Sequence, residues 1–423
     1  MHFDPRRFRV FTKTNERYDL RNVFKGHGAP INSIAFNTTC SLLATGGDDE
    51  EVRLWDMENG QQLQSLMDQN GRWGQITKLS FLYPDGGSLG SEWLVFGTGR
   101  GLFLIYRRIR KTREFNQISS TRVSSAGDSV ESFEFDNHHQ RLVVTSHYGK
   151  IRMYKFNNGN LTDLWGEEFS EIIPRAVSFA DKGETLLIFC METGTIVYRD
   201  AETAAEKATK VLPSCIICPT TGNFMVDNMK NGFDIYPPSR TSPTKSFSVA
   251  ATKKYVKQGV FGERGKIAVC GSDHGNAYLF GMSSSEILQV LKHGKKDEMI
   301  QAVQAASTVD KHFIATGSSN GKFQIQIWEK SIRPISSRNE AKGAIGILTV
   351  LNLIFFLVVL WATSDTWLPP VSEKMNIALS QTYQSLQTHI TALKPTPSAD
   401  DIQRLLAEMD EETLQKVLGK GSK

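Results

Sequence analysis

From Gly26 to about Trp328 the chain repeats one order of strands and turns, and this recurrence constrains the fold more than any other feature. Each unit has an apolar strand, a polar turn, a second strand ending near Ser, Thr or Gly, a Gly-containing turn, and a third strand. The third strands end near Trp55, Tyr106, Tyr154, Arg199, Tyr236, Phe280 and Trp328. Runs such as KLSFLY, LFLIYRR, RLVVTS and TLLIFC carry β-branched and aromatic residues at period two, and no convincing amphipathic helix interrupts them. The third-strand ends lie about 37 to 51 residues apart, around the 40–45 of a four-stranded propeller blade. An all-β chain of seven such units is expected.

A ring of sheets must join its first and last members or expose two edges. The last unit supplies three strands and stops at Trp328, whereas RYDLRNVF precedes the first unit with no other role. That piece is expected to be the missing outer strand of the seventh blade. Residues 1–330 then form one seven-bladed β-propeller.

The first unit carries the most specific motif: Gly26-His27, then LLATGGDDEEVRLWD with Trp55-Asp56. On these residues the chain resembles the WD40-repeat family of β-propellers, over roughly residues 10–330. The resemblance implies a hydrogen-bonded tetrad of His27, Thr45, Asp49 and Trp55, which ties the strands of a blade together. The other units depart from the pattern. Tyr, Arg or Phe fills most Trp positions, no second Gly-His pair precedes an apolar strand, and Trp328 follows an irregular turn and precedes no Asp. Those blades are expected to be held by packing and backbone ladders.

About 40% of the residues are apolar and 22% charged, so most of the chain can bury a core. A net charge of +4 is too small to argue for nucleic acid, and none is expected as a partner. The five cysteines are scattered, which fits a reducing compartment better than a disulfide framework. Cys215 and Cys218 have CxxC spacing but no second pair, and lie in an apolar strand-like stretch. His138-His139 reads as a solvated turn without nearby carboxylate or Cys ligands. There is no P-loop, nucleophile elbow or HExxH motif. Neither catalytic residue, cofactor nor metal is expected.

The start, MHFDPRRFRVFTK, lacks the apolar core of a signal peptide. By contrast, GAIGILTVLNLIFFLVVLWAT (residues 343–363) carries no charge and spans roughly 31 Å as a helix, enough to cross a bilayer. Trp361 and Trp367 suit one interface, and Asn352 can bond to another helix or face lipid. Lys330, Arg333, Arg338 and Lys342 precede the span and only Lys374 closely follows it. The positive-inside rule thus places the propeller and the basic linker 331–342 in the cytoplasm, and the tail 364–423 in a lumen. The endoplasmic reticulum or another endomembrane is the expected site. In the tail, Val371, Met375, Leu379, Leu386, Ile390 and Leu393 fall mostly at helical spacing. Ser398 with Asp401 resembles a capping box ahead of Ile402, Leu405, Leu406 and Met409. Glycosylation at either sequon, Asn37 or Asn160, would contradict this topology.

The family resemblance implies protein partners on the face built by loops between second and third strands. Candidates there are Glu50, Glu51, Arg100, His147, Tyr148, Lys230, Asp273 and His274, with Glu50 and Glu51 making the first-blade corner acidic. It also implies that the opposite face carries Arg6, Arg7 and Arg9 together with Arg107, Arg108, Arg110, Lys111 and Arg113. These are candidate contacts to anionic lipid. The expected function is a membrane-anchored interaction scaffold. The architecture is also similar to that of the exchange factors that start COPII coat assembly at the endoplasmic reticulum. Nucleotide exchange on a small GTPase is therefore the alternative, although the first blade lacks that family's Gly-rich ion-binding loop.

Overall fold

The computed structural model describes residues 17–84, 91–109, 114–169, 173–190, 193–211, 216–217, 222–237, 240–253 and 255–332, together with Ser380 and Gln384. Chain contacts define two compact units, Met1–Pro334 and Ile335–Lys423. The predicted span 343–363, the linker from residue 333 and the helical tail fall outside the described residues, save Ser380 and Gln384. No helix among the described residues is long and apolar enough to cross a membrane.

The first unit contains seven four-stranded antiparallel sheets. Blades one to six cover residues 31–67, 76–122, 130–168, 174–211, 216–248 and 259–292, each in simple up-and-down order. The seventh takes three strands from residues 300–331. Its fourth is Asp19–Phe24, which pairs antiparallel with Ile325–Ser331. The first strands of blades six, seven, one, two, three and four touch in succession and line the ring.

Every blade is covered on both faces by its neighbours, so its middle strands bury residues of both parities. LLATGG, RLVVTS and TLLIFC are each buried along their whole length, as strands covered on two faces must be. The fourth strands, such as QLQSLM, are mostly exposed. Seven apolar clusters result, one at each seam. The seam between blades seven and one packs Phe24, Ile34 and Trp55 against Phe313 and Ile327, with Phe24 stacked on Trp55 at 5.0 Å.

The repeat is also written in backbone register. The pairing of third and fourth strands slips by one residue immediately before Trp55, Tyr106, Tyr154, Arg199 and Phe280. In the seventh blade Ile327 pairs with Asn22 but Trp328 with Leu20, the same slip. Such a bulge bends a strand and re-aims the next side chain. Six blades thus keep the geometry of the Trp position, although only two keep the Trp.

Candidate functional site

In an antiparallel ring of this order, second-to-third-strand turns and blade-to-blade connections emerge at the same end, here called the top. His27 lies on the connection entering blade one, and Asp49 in that blade's second turn. Their side chains meet at 2.8 Å, while His27 Nε2 lies 2.8 Å from Thr45 Oγ1 and the Trp55 indole donates to Thr45 at 2.9 Å. With the ring proton on Nδ1 donated to Asp49, Nε2 accepts the Thr45 hydroxyl, which in turn accepts the indole N–H. No buried donor in this relay is wasted. Burial works to raise the Asp49 carboxyl, but its bond to His27 and the N–H groups of Gly28 and Glu51 outweigh it and hold it low. The four residues join strand, turn and connection, and the carboxylate is committed to them.

A partial arrangement of this kind appears in the seventh blade, where packing and ladders were expected in place of a full tetrad. His293 Nδ1 lies 2.7 Å from Thr316 Oγ1, and the Trp328 indole donates to the same oxygen at 3.1 Å. The fourth corner differs. Asn320, four residues after Thr316 as Asp49 is after Thr45, instead accepts the Met299 N–H and donates to the Asp297 carbonyl at 3.0 Å. Nε2 of His293 is consequently buried without a partner. Its sequence signal is a reversed pair, His293-Gly294, and a Thr-to-Trp spacing lengthened by the irregular turn.

Burial lowers His293 from 6.5 to about 4. The unfolded chain therefore takes up this proton before the folded one as pH falls. This group leaves stability unchanged above pH 6.5, erodes it between 6.5 and 4, and adds no further slope below 4. The expected loss across that window is about 3 kcal/mol, because lowering a pKa by one is worth about 1.4 kcal/mol. Urea midpoints measured from pH 7 to pH 4 should fall steeply for the natural protein and less steeply for His293→Gln. Parallel slopes would contradict the assignment.

The candidate partner residues divide by whether their polar groups are committed internally. Glu51 pairs with Arg53 and accepts the Ser65 hydroxyl, so half of the expected acidic corner is neutralised. Glu50 remains at the turn tip, where its φ is 64°. Asp273 is buried and accepts both backbone N–H groups of Thr252 and Lys253. Burial works to raise it, yet those donors and His274 hold it at about 2. His274 in turn reaches the Tyr278 hydroxyl. Asp273 and His274 thus brace two loops instead of presenting themselves. His147 leans on Glu131, which also holds Arg175. Tyr148 is 64% exposed, and Arg100 and Lys230 are exposed as well. Lys230 rides on a loop capped by Asn228, whose Oδ1 accepts the N–H groups of Lys230, Asn231 and Gly232.

On the opposite, bottom face the two described residues of the candidate basic set, Arg107 and Arg108, are committed. Arg107 lies over the Trp93 ring at 4.8 Å and donates to Asn158, while Arg108 pairs with Glu92 and covers Phe115. Arg6, Arg7, Arg9, Arg110, Lys111 and Arg113 fall outside the described residues, as do Cys215 and Cys218. The turn at His138-His139 is not free of carboxylates as expected. Asp136 lies 2.8 Å from His139 Nδ1, but it also binds Arg141, a cation that competes with any metal. Among the described residues, no group of three or more His, Cys, Asp or Glu side chains is placed to hold a metal ion.

Comparison with known proteins finds the same first repeat. The family described as WD domain, G-beta repeat matches residues 18–56. "Protein tipD" of Dictyostelium discoideum is 41% identical over 67 residues, 16% of this chain and 10% of that protein. "Small ribosomal subunit protein RACK1" of Medicago sativa is 43% identical over 47 residues, 11% of this chain and 14% of the relative. These matches cover a small part of each relative. The crystal structure of Chaetomium thermophilum Raptor superposes with a TM-score of 0.60 at 14% identity, over 75% of this chain and 29% of that one. That likeness is one of fold.

Proposed function

We propose that this propeller, of the WD40 kind that its first-repeat match and seven-bladed ring support, is a protein-interaction platform working from its top face. One observation carries the reading. The top turns that carry Arg100, Tyr148 and Lys230 are tied to neighbouring segments, while the three side chains are exposed. The ties are backbone bonds of Gly99 and Arg100 to Gln75 and Trp73, Asp128 accepting the Tyr148 N–H, and Asp227 accepting the Met229 N–H. A surface held in place before binding loses little freedom when a partner docks, which is how a rigid scaffold gains affinity without moving.

In this reading the uncharged run 343–363 anchors the platform to an endomembrane, with the propeller on the cytoplasmic side and the tail 364–423 across the bilayer. Its length and the basic residues ahead of it support that placement. Lipid contact through the bottom face rests on the basic residues outside the described set, because Arg107 and Arg108 are engaged by the protein itself. No arrangement among the described residues favours nucleotide exchange over display. Photo-crosslinkers placed singly at Arg100, Tyr148 and Lys230 of the full chain test the reading. Each is expected to capture protein partners in cells.

A further inference from the structure

We infer that the top loops of blades five to seven form one basic arc that binds an acidic, extended polypeptide segment carrying an apolar anchor. This deepens the platform reading and rests on it. The arc is continuous because each loop is bonded to the next. Lys257 N donates to Asp227 at 2.8 Å, and Thr252 N and Lys253 N donate to Asp273 at 2.6 Å. Gly275 N donates to the Glu298 carbonyl at 2.6 Å, and Asn320 donates to the Asp297 carbonyl at 3.0 Å. Five successive loops are thereby held as one surface.

These contacts also sort the charges. Asp227 forms a buried pair with Lys257, Asp273 is enclosed by backbone donors, and Glu298 is buried against Gly294 and Gly321. Among the described residues of these loops, Asp297 is the only exposed acid. Lys230, Lys253, Lys292, Lys295, Lys296 and Lys322 are all exposed. The acids therefore build the surface while the lysines face outward. Within the same arc Tyr255 is 59% exposed and Met229 36% exposed, the latter at a turn tip with φ of 52°.

A ring and a thioether set among separated ammonium groups fit a chain that alternates carboxylates with an apolar side chain. Aromatic contacts at an interface centre carry much of the binding energy, and charges around them set encounter and register. Phosphate-rich partners are matched less well. The arc has no exposed arginine fork for bidentate phosphate contact. Beyond blade seven, Asp48 and Glu50 on the first-blade turn would repel a continuing phosphate backbone.

The test measures fluorescence anisotropy of the full chain with a labelled peptide of about twelve residues, mostly Glu and Asp around a central Phe. The triple variant Lys295→Glu, Lys296→Glu, Lys322→Glu should weaken binding about tenfold or more, and Tyr255→Ala about fivefold. Reversal of Lys182 and Lys266, exposed at the other end of the blades, should leave binding unchanged. The proposal is overturned if the peptide does not bind, if the two sets of reversals weaken it equally, or if a thymidine oligonucleotide or a phosphatidylserine vesicle binds the arc more tightly. Top-face crosslinking to partners that persists in the triple variant, together with no binding of the peptide by the natural chain, would sink the arc alone and leave the platform standing.

Discussion

Removal of residues 17–24 is expected to abolish the cooperative melting of the propeller. Phe24 and Tyr18 are 2% and 4% exposed and lie in the two seams that flank blade seven. Tyr18 also donates its hydroxyl to Glu263 at 2.9 Å, and Lys330 pairs with the same carboxylate while lying over the Tyr18 ring. Deleting a buried aromatic side chain costs about 3–5 kcal/mol, so two of them rival the whole stability of about 5–15 kcal/mol of an ordinary domain. The truncation would further strip Ile325–Ser331 of its partner and leave an unpaired edge. Circular dichroism melts and gel filtration should show lost cooperativity and aggregation. Tyr18→Phe should keep the ring closed at a cost of about 1 kcal/mol, the value of one hydrogen bond. An unchanged melting midpoint in the truncation would show that the ring does not depend on this strand.

Trp55→Ala should be the most damaging single substitution among the tetrad residues, at about 4 kcal/mol. The indole serves two structures at once: it donates to Thr45 within its blade and stacks on Phe24 across the closing seam. Trp55→Phe retains a ring over Phe24 but leaves Thr45 without its donor, and should cost about 1–2 kcal/mol, less than the Ala variant. Chemical denaturation monitored at equilibrium separates the two. Equal losses would mean that the hydrogen bond, not the seam, dominates.

The fold was legible because the strand period and turn residues recur even where the signature does not. The third-strand ends marked Tyr106, Arg199 and Phe280 as equivalents of Trp55, and the shared bulge before each explains why. What defines the position is a register slip in the backbone, which tolerates several side chains. Blade five is built of strands of only two to five residues, too short for a period to show.

The candidate face was legible as a set of loops but not as a set of available groups. Glu51 and Asp273 are indistinguishable from Glu50 and Asp297 in the sequence. Only the fold brings Arg53 and Ser65 to one and the Thr252 loop to the other. The His293–Thr316–Trp328 arrangement was hidden for a related reason. Its His precedes the Gly, and its longer turn breaks the spacing by which the first blade declares itself. Hydrogen bonds between loops depend on which ends of which strands emerge together. That information is topological and local spacing does not carry it.

Partner capture by photo-crosslinking in cells, compared between faces of the full chain, tests the central claim most directly. Probes at Arg100, Tyr148 and Lys230 report on the top, Leu63 and Leu164 on the exposed outer strands, and Lys182 on the bottom. A top-face platform predicts the same partner bands from the three top positions and none from the other three. Capture of partners from the outer strands or the bottom, with the top positions silent, would contradict it.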